Sequence, residues 1–343
     1  MASNLMGSNL ASMMANRTFV RRGIGVVLIV AALLAQRFSS FFAQELIAEA
    51  AILGIFTLSL DLLATCGLVS FGHAGLLGIG AYAFGGVTVL MGLPPSVAIV
   101  AAVLGGIVVS FLVGLLAVRT SGAFFIMVTL AAAEMFYAWA FRSKLFNGAD
   151  GMGGIPRLDL KPIGIDLDNP EIFALLCIAL CVIVWVLLEL VVASPFGRTL
   201  AAIRQNPSRV AALGGRVFAY RLAAFTTSGA IAALAGAFKV QHTNFISPDL
   251  VSWFVSGDVL IAVVIGGMGT LVGGPLGAAV LVILKDVLSS YVGHWYLFLG
   301  AIFAFVALAL PHGIVGYMLD LIGRLSQSRT PAAAPGTSQE AAP

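Results

Sequence analysis

The chain has 343 residues, of which 60% are hydrophobic and only 10% charged, with a formal net charge of +3; its mean hydropathy is +1.05, whereas ordinary soluble domains carry roughly 25% charged residues. That composition excludes a soluble enzyme, and no nucleic-acid partner is expected. The solvent of most of the chain is lipid, and no segment alternates apolar and polar residues as a membrane barrel would, so the expected fold is all-α: a polytopic transmembrane helical bundle.

Residues 1–22 are rich in Asn, Ser and Met and carry Arg17, Arg21 and Arg22, which reads as a cytoplasmic lead. The apolar run from Gly23 to Ala35 also has the form of a signal peptide, with Ala-Leu-Leu-Ala-Gln imitating a cleavage site. It is read as the first span, because the following segments need it for their orientation. Apolar stretches at 23–41, 44–66, 70–92, 95–117, 122–141, 172–193, 218–239, 256–268, 271–288 and 293–316 give about ten crossings. The Gly-rich pieces at 70–92 and 256–280 are candidates for broken or re-entrant helices. Residues 23–320 therefore form one membrane domain, and 321–343 read as a disordered cytoplasmic tail of Ser, Ala, Pro and Gly.

Lys and Arg in short loops mark the cytoplasmic side. Ten crossings place Arg17, Arg21 and Arg22, then Arg119, then Arg198, Arg204, Arg209 and Arg216, and finally Arg324 and Arg329 on one face. An odd number would strand one group on the other. The mixed-charge loop 142–171 falls outside.

Catalytic constellations are missing. His73, His242, His294 and His312 have no metal-ligand spacing, and no lysine follows the glycines of a phosphate-binding loop. No metal or cofactor is expected on the chain. Cys66, Cys177 and Cys181 read as small hydrophobes in apolar runs. The 39 glycines cluster at 72–86 and 266–277. Gly75, Gly78, Gly80, Gly266, Gly267 and Gly269 are read first as close helix packing, since lipid supplies little hydrophobic drive between helices. The alternative is a helix broken near the midplane, with Ser70, Phe71 and His73 facing a translocation path. Glu134 stands in an apolar span, where a carboxylate is costly, and reads equally as an interior hydrogen-bonding group or part of a path; Asp61, Asp258 and Asp286 lie nearer predicted ends. The basic loop 194–217 reads as two short helical stretches divided by Pro207 and ended by Gly214 and Gly215. It suits docking onto a cytoplasmic partner, or contact of its arginines with anionic lipid.

Six ordered segments resemble the permease subunits of ABC importers for branched-chain amino acids, the LivM type and its relatives for urea, short amides and other small solutes. They are Gly67-Leu-Val-Ser-Phe-Gly-His-Ala-Gly through Tyr82, Phe125-Ile-Met-Val-Thr-Leu with Glu134, Asn147 through Pro156, Ser194-Pro-Phe-Gly-Arg198 with Ala202-Ile-Arg204 and Leu213-Gly214, Gly266 through Gly273, and Pro311 through Gly316. The resemblance implies a transmembrane permease in the bacterial inner membrane with both termini cytoplasmic. It implies a second related permease of the LivH type, two cytoplasmic ATPase subunits that hold ATP and Mg, and a periplasmic solute-binding protein as partners. The 194–217 loop would be the element coupled to the ATPases, through Ser194, Pro195, Phe196, Gly197, Arg198, Arg204, Asn206, Ala212, Leu213 and Gly214. Thr129 and Asp258 would join Ser70, Phe71, His73 and Glu134 as path candidates. Ala211 and Gly215 depart from the family's loop, which has an acidic and an aliphatic residue there. Branched-chain amino acids lead as solutes, ahead of urea, amides and aromatic or carboxylic acids. An ion-coupled secondary transporter is the alternative of another class, for which midplane carboxylates such as Glu134 and Asp61 would serve; it would not need the docking loop.

Overall fold

A computed structural model describes residues 23–37, 40–160, 164, 166–291, 293–309, 313–318 and 321. The lead 1–22, Lys161, Pro311, His312 and the tail beyond residue 321 lie outside the described residues. In lipid every backbone N–H and C=O must be satisfied within the chain, and the fold meets this with helices almost throughout. They are α1 (Gly23–Arg37), α2 (Phe41–Ala64), α3 (His73–Gly85, continued by a π-turn over Gly86–Leu90), α4 (Pro95–Ala117), α5 (Ala123–Arg142), α6 (Pro170–Ala193), α7 (Pro195–Gln205), α8 (Pro207–Ala212), α9 (Val217–Thr243), α10 (Trp253–Gly266), α11 (Gly273–Tyr291) and α12 (Trp295–Ala309). Seven of these are long and apolar enough to cross a membrane, and α1, α10 and α12 are shorter apolar helices. Together they occupy the ten apolar stretches of the sequence.

Helix α9 is the centre of assembly, with α2, α3 and α4 packed around it. The contacts depend on small residues. Along α4 the buried residues are Ala98, Ala102, Gly106, Ser110, Gly114 and Ala117, nearly all four apart, which is one face of an α-helix. The opposite face exposes Val100, Leu104, Phe111 and Leu116 as a lipid-facing surface would. A Cβ added at Gly106 would strike Ala233, and one at Gly229 would strike Ser110. On the other flank of α9, a Cβ at Gly80 would collide with the carbonyl of Ala233, and one at Gly236 with the carbonyl of Leu77. Gly75 packs on Ala133, 3.1 Å from where its Cβ would stand, and Gly78 lies against Val251 and Phe136. Thus the first glycine cluster packs α3 against α5 and α9. Gly266 meets Gly273 in the α10–α11 pair, whereas Gly267 and Gly269 belong to the turn between them, with φ of 116° and 83°.

Connectivity gives the bundle two distinct ends. At one end Arg119 lies over the ring of Phe218, 5.8 Å from its centre, and the stem of Arg204 lies on Gly67. At the other, Gln36 at the end of α1 donates to the carbonyl of Glu171 at the start of α6 (2.6 Å), so α1 starts at the arginine end. Gly313, beyond α12, meets Gly267 back at the arginine end. The loop between α5 and α6 is pinned at the far end by a two-residue antiparallel pair, Met152–Gly153 with Phe245–Ile246. Arg157 of that loop donates to the carbonyls of Gln241 and Leu167 (3.2 and 2.9 Å) and covers the ring of Phe173. Trp253, Phe254, Tyr291 and Tyr296 are exposed near this end, where aromatic rings gather at a membrane interface. The three cysteines are buried and free.

Two glycine substitutions separate packing from propensity. Gly236→Leu forces a side chain into the Leu77 backbone and should lower stability by about 3 kcal/mol or more, as overpacked cores do. Gly257→Ala, on α10 with no atom within 4 Å of its Cβ position, should be neutral or stabilising by up to about 1 kcal/mol. Thermal melts of both variants in detergent, scored by retention of a monodisperse elution peak, decide the matter; equal losses would contradict the packing account.

Candidate functional site: a helical hairpin at the arginine end

At the arginine end the sequence builds a helical hairpin outside the apolar spans. The hydroxyl of Ser194 donates to the Val191 carbonyl (2.6 Å) and also accepts from the Gly197 N–H, so it ends α6 and caps α7 in one residue. Pro195 occupies the first turn of α7. Asn206 caps α8 by accepting from the Arg209 N–H (2.9 Å), with Pro207 following it at the helix start. Gly214, at φ 82°, turns the chain out of α8 toward α9. Helix α7 is amphipathic: Gly197, Leu200 and Ile203 are buried against the bundle, and Phe196 stacks on Tyr220 with ring centres 5.6 Å apart. Arg198, Asn206, Arg209, Ala212 and Leu213 point outward. Leu213 is 84% exposed, a large apolar side chain in solvent on a basic surface.

The hairpin rests on two backbone turns. Arg204 lies against Gly67, which follows α2, and its guanidinium reaches the site a Cβ of Gly269 would fill (2.9 Å). The α10–α11 turn is itself held by Asp61, fully buried near the end of α2. One carboxylate oxygen accepts from the Gly269 N–H (2.5 Å) and the other from the Leu271 N–H (2.6 Å). Leu271 is a non-glycine residue at φ 58°, a left-handed conformation costing about 1–2 kcal/mol. Asp61 therefore clips a strained turn beneath the hairpin, a role the sequence did not single out. Its signal was present as an acid in an apolar span and a glycine-rich turn whose N–H groups need acceptors.

The path candidates fall in several places. Ser70 and His73 are fully buried where α3 begins inside the bundle. The Ser228 hydroxyl donates to the Ser59 carbonyl (2.6 Å), so His73 Nε2, 2.8 Å from that hydroxyl, supplies the other proton. The Ala74 N–H donates to Ser256 (3.0 Å) and the Gly72 N–H to Ser70 (3.1 Å). Phe71 is half-buried. Thr129 bonds back to the Phe125 and Ile126 carbonyls of its own helix, and Gly72 is pressed on its backbone. These residues form a tight polar knot beside a cavity of about 50 Å³ lined by Gly72, Gly75, Thr129 and Phe136. Glu134 is half-buried on α5, on the outward stripe that also carries the exposed Met127. Asp258 lies apart, in a groove at the far end, ion-paired with Lys285.

Removing the clip tests its importance. Asp61→Ala leaves the buried Leu271 N–H and the part-buried Gly269 N–H unpaired, at about 1–3 kcal/mol for the buried group, so the variant should melt below wild type and lose protection from amide hydrogen exchange at Gly269 and Leu271 first. Wild-type exchange at those two amides would contradict the clip.

Comparison with known proteins places this arrangement. A family described as branched-chain amino acid transport system / permease component matches residues 42–307. High-affinity branched-chain amino acid transport system permease proteins LivM of Salmonella typhimurium and Escherichia coli are each 26% identical over 271 residues, covering 73% of this chain and 64% of theirs; the match thus spans under two thirds of those relatives' length. An autoinducer 2 import system permease protein, LsrC, of Yersinia enterocolitica is 31% identical over 157 residues, 42% of this chain and 41% of the relative. No solved structure matches. With a match over the greater part of its length, including all of the hairpin, the chain belongs to the branched-chain amino acid transport permease family.

Proposed function

We propose that this chain is the membrane permease subunit of an ATP-driven ABC importer, coupled to its ATPases through the α7–α8 hairpin. The observation that carries the reading is the hairpin itself: a capped, amphipathic element seated on the bundle through Leu200 and Ile203 and presenting Leu213, 84% exposed, with arginines around it. Helices α7 and α8 supply no membrane crossing, and an apolar tip in a basic surface fits a groove on another protein. Because Arg204 supports Gly67 and the clipped α10–α11 turn, a push on the hairpin is passed directly to α2, α10 and α11. That is a rigid route for the rocking step of alternating access.

The arginine end is then cytoplasmic under the positive-inside rule, in a bacterial inner membrane. ATP and Mg belong to the partner ATPases. The solute is a small organic molecule delivered by a periplasmic binding protein, with branched-chain amino acids first, as the names of the LivM relatives suggest, and urea, amides or carboxylic acids behind them. The name of the LsrC relative supports import as the direction. Glu134 favours a second permease subunit: it forms no hydrogen bond or ion pair among the described residues, and an unpartnered carboxylate turned to lipid is costly, so a neighbouring permease is the surface that accommodates it.

The test is capture of the ATPase and second permease encoded beside this chain. Wild type should retain both on purification, and Leu213→Asp and Arg209→Glu, whose side chains are exposed, should lose the ATPase while keeping wild-type yield and the second permease. Retention of the ATPase by both variants would move the contact away from the hairpin.

A further inference from the structure

The end opposite the arginines holds a hollow that stops short of the polar knot, and an apolar layer stands between the two. Between α2 and α9 on one side and α10 and α11 on the other lies a cavity of about 130 Å³. Lys239 of α9 pairs with Glu49 of α2 (2.7 Å) at its border, and Lys285 of α11 with Asp258 of α10. Their side chains keep between 22% and 42% of their surface exposed, so the charges are accessible from outside the bundle. Along α2 the lining turns apolar with depth: Glu49, then Ile52, then Phe56. These residues and Ser59 recur three and four apart, which is one face of a helix. At 1.5 Å per residue, Phe56 lies about 10 Å below Glu49, and Ser59 about 4.5 Å below Phe56.

Phe56 belongs to both sides of this boundary. It lines the hollow, is 1% exposed, and its ring stands 6.2 Å, centre to centre, from that of His73 in the knot. Leu77 also lines the hollow. It lies four residues after His73 on α3, one turn along the same face, and its carbonyl is pressed on Gly236 of α9. That side of the layer is anchored by backbone packing, whereas the Phe56 ring can change rotamer.

Below the layer the chemistry changes. Ser59, Ser70, His73, Ser228 and Ser256 are all fully buried, in a bundle that elsewhere joins its helices with small residues. His73 Nε2 supplies its proton to Ser228, so Nδ1 carries a lone pair, and among the described residues nothing donates to it. Packing alone does not call for this, since an apolar side chain would leave no acceptor over. An acceptor so placed suits a site that water reaches in another state of the bundle.

We propose that Phe56 is a gate: with Leu77 it forms the apolar layer that shuts the outer hollow off from His73, and a swing of its ring admits water to the knot. An apolar constriction excludes water without charge or hydrogen bond and opens by wetting. Phe56 carries no signal in the sequence, being an apolar residue in an apolar span. The inference stands on the membrane bundle alone and is independent of what energises it.

Diethyl pyrocarbonate tests the layer, because it modifies unprotonated imidazole nitrogens that it can reach. The full chain, with the partners that co-purify, is treated in lipid nanodiscs, and modification of His73 is scored by mass spectrometry against the exposed His294. Phe56→Ala should raise the His73 rate about tenfold over wild type, which corresponds to about 1.4 kcal/mol off the barrier to access. Phe56→Leu, which keeps apolar bulk, should stay near wild type. Phe84→Ala removes another fully buried ring, about three turns along α3 from His73, and should leave His73 unchanged. Should Phe56→Ala fail to assemble, Leu77→Ala opens the same layer and takes its place. His73 modified as fast as His294 in wild type, unmoved in the truncated variant, or modified equally in Phe84→Ala would overturn the gate.

Discussion

Close backbone approach at α9 is the constraint on which the rest of the molecule depends. Lipid offers helices no hydrophobic reward for association, so contact must come from surfaces that fit at backbone distance. Gly236 lies under the carbonyl of Leu77, Gly80 under that of Ala233, and Gly106 and Gly229 let α4 lie flat on the same helix. With α3 and α4 drawn in on both flanks, the start of α3 is held deep enough for His73 to meet Ser228 and, through it, the Ser59 carbonyl of α2. The polar knot is thus a consequence of the glycine contacts. It closes the centre of the bundle and leaves the two ends to differ.

Those ends have different chemistry. The arginine end carries a capped hairpin with an exposed Leu213, and beneath it a turn whose left-handed Leu271 is held by Asp61. The far end is built around charge pairs and a hollow, with the α5–α6 loop strapped down by Arg157 and the short strand pair. Helices α2, α10 and α11 reach both. At the arginine end they meet the turn under Arg204, and their far halves carry Glu49, Asp258 and Lys285. Helices α2, α10 and α11 thus link the turn under the hairpin to the charge pairs of the far end.

Much of this was legible in the sequence. Span length and arginine placement gave ten apolar helices with α1 starting, and the chain after α12 returning, at one end. Pro207 and Gly214 marked the hairpin, because helix breaks and left-handed stops are local properties. The glycines divided as their surroundings dictated. Gly75, Gly78 and Gly80 pack helices, whereas Gly267 and Gly269 shape a turn, a distinction that depends on φ and on Asp61 some two hundred residues away. The α4 stripe, with small residues four apart from Ala98 to Gly114, was readable by period and passed unnoticed in a uniformly apolar span. Glu49 and Lys239 could not be read as a pair at all: they are 190 positions apart in sequence, and only the packing of α2 on α9 joins them. Pairings across helices are set by tertiary geometry, which no local pattern encodes.

Under the proposed function, work enters this chain from ATP hydrolysis through the hairpin. Uptake of labelled L-leucine into proteoliposomes discriminates, comparing vesicles that contain the assembled complex, with ATP on the hairpin side and the solute-binding protein on the other, against vesicles of the chain alone under an imposed proton or sodium gradient. Accumulation is expected only in the first, abolished by a nonhydrolysable ATP analogue. Gradient-driven accumulation by the chain alone would contradict it, and would move the mechanism to the carboxylates of the membrane interior.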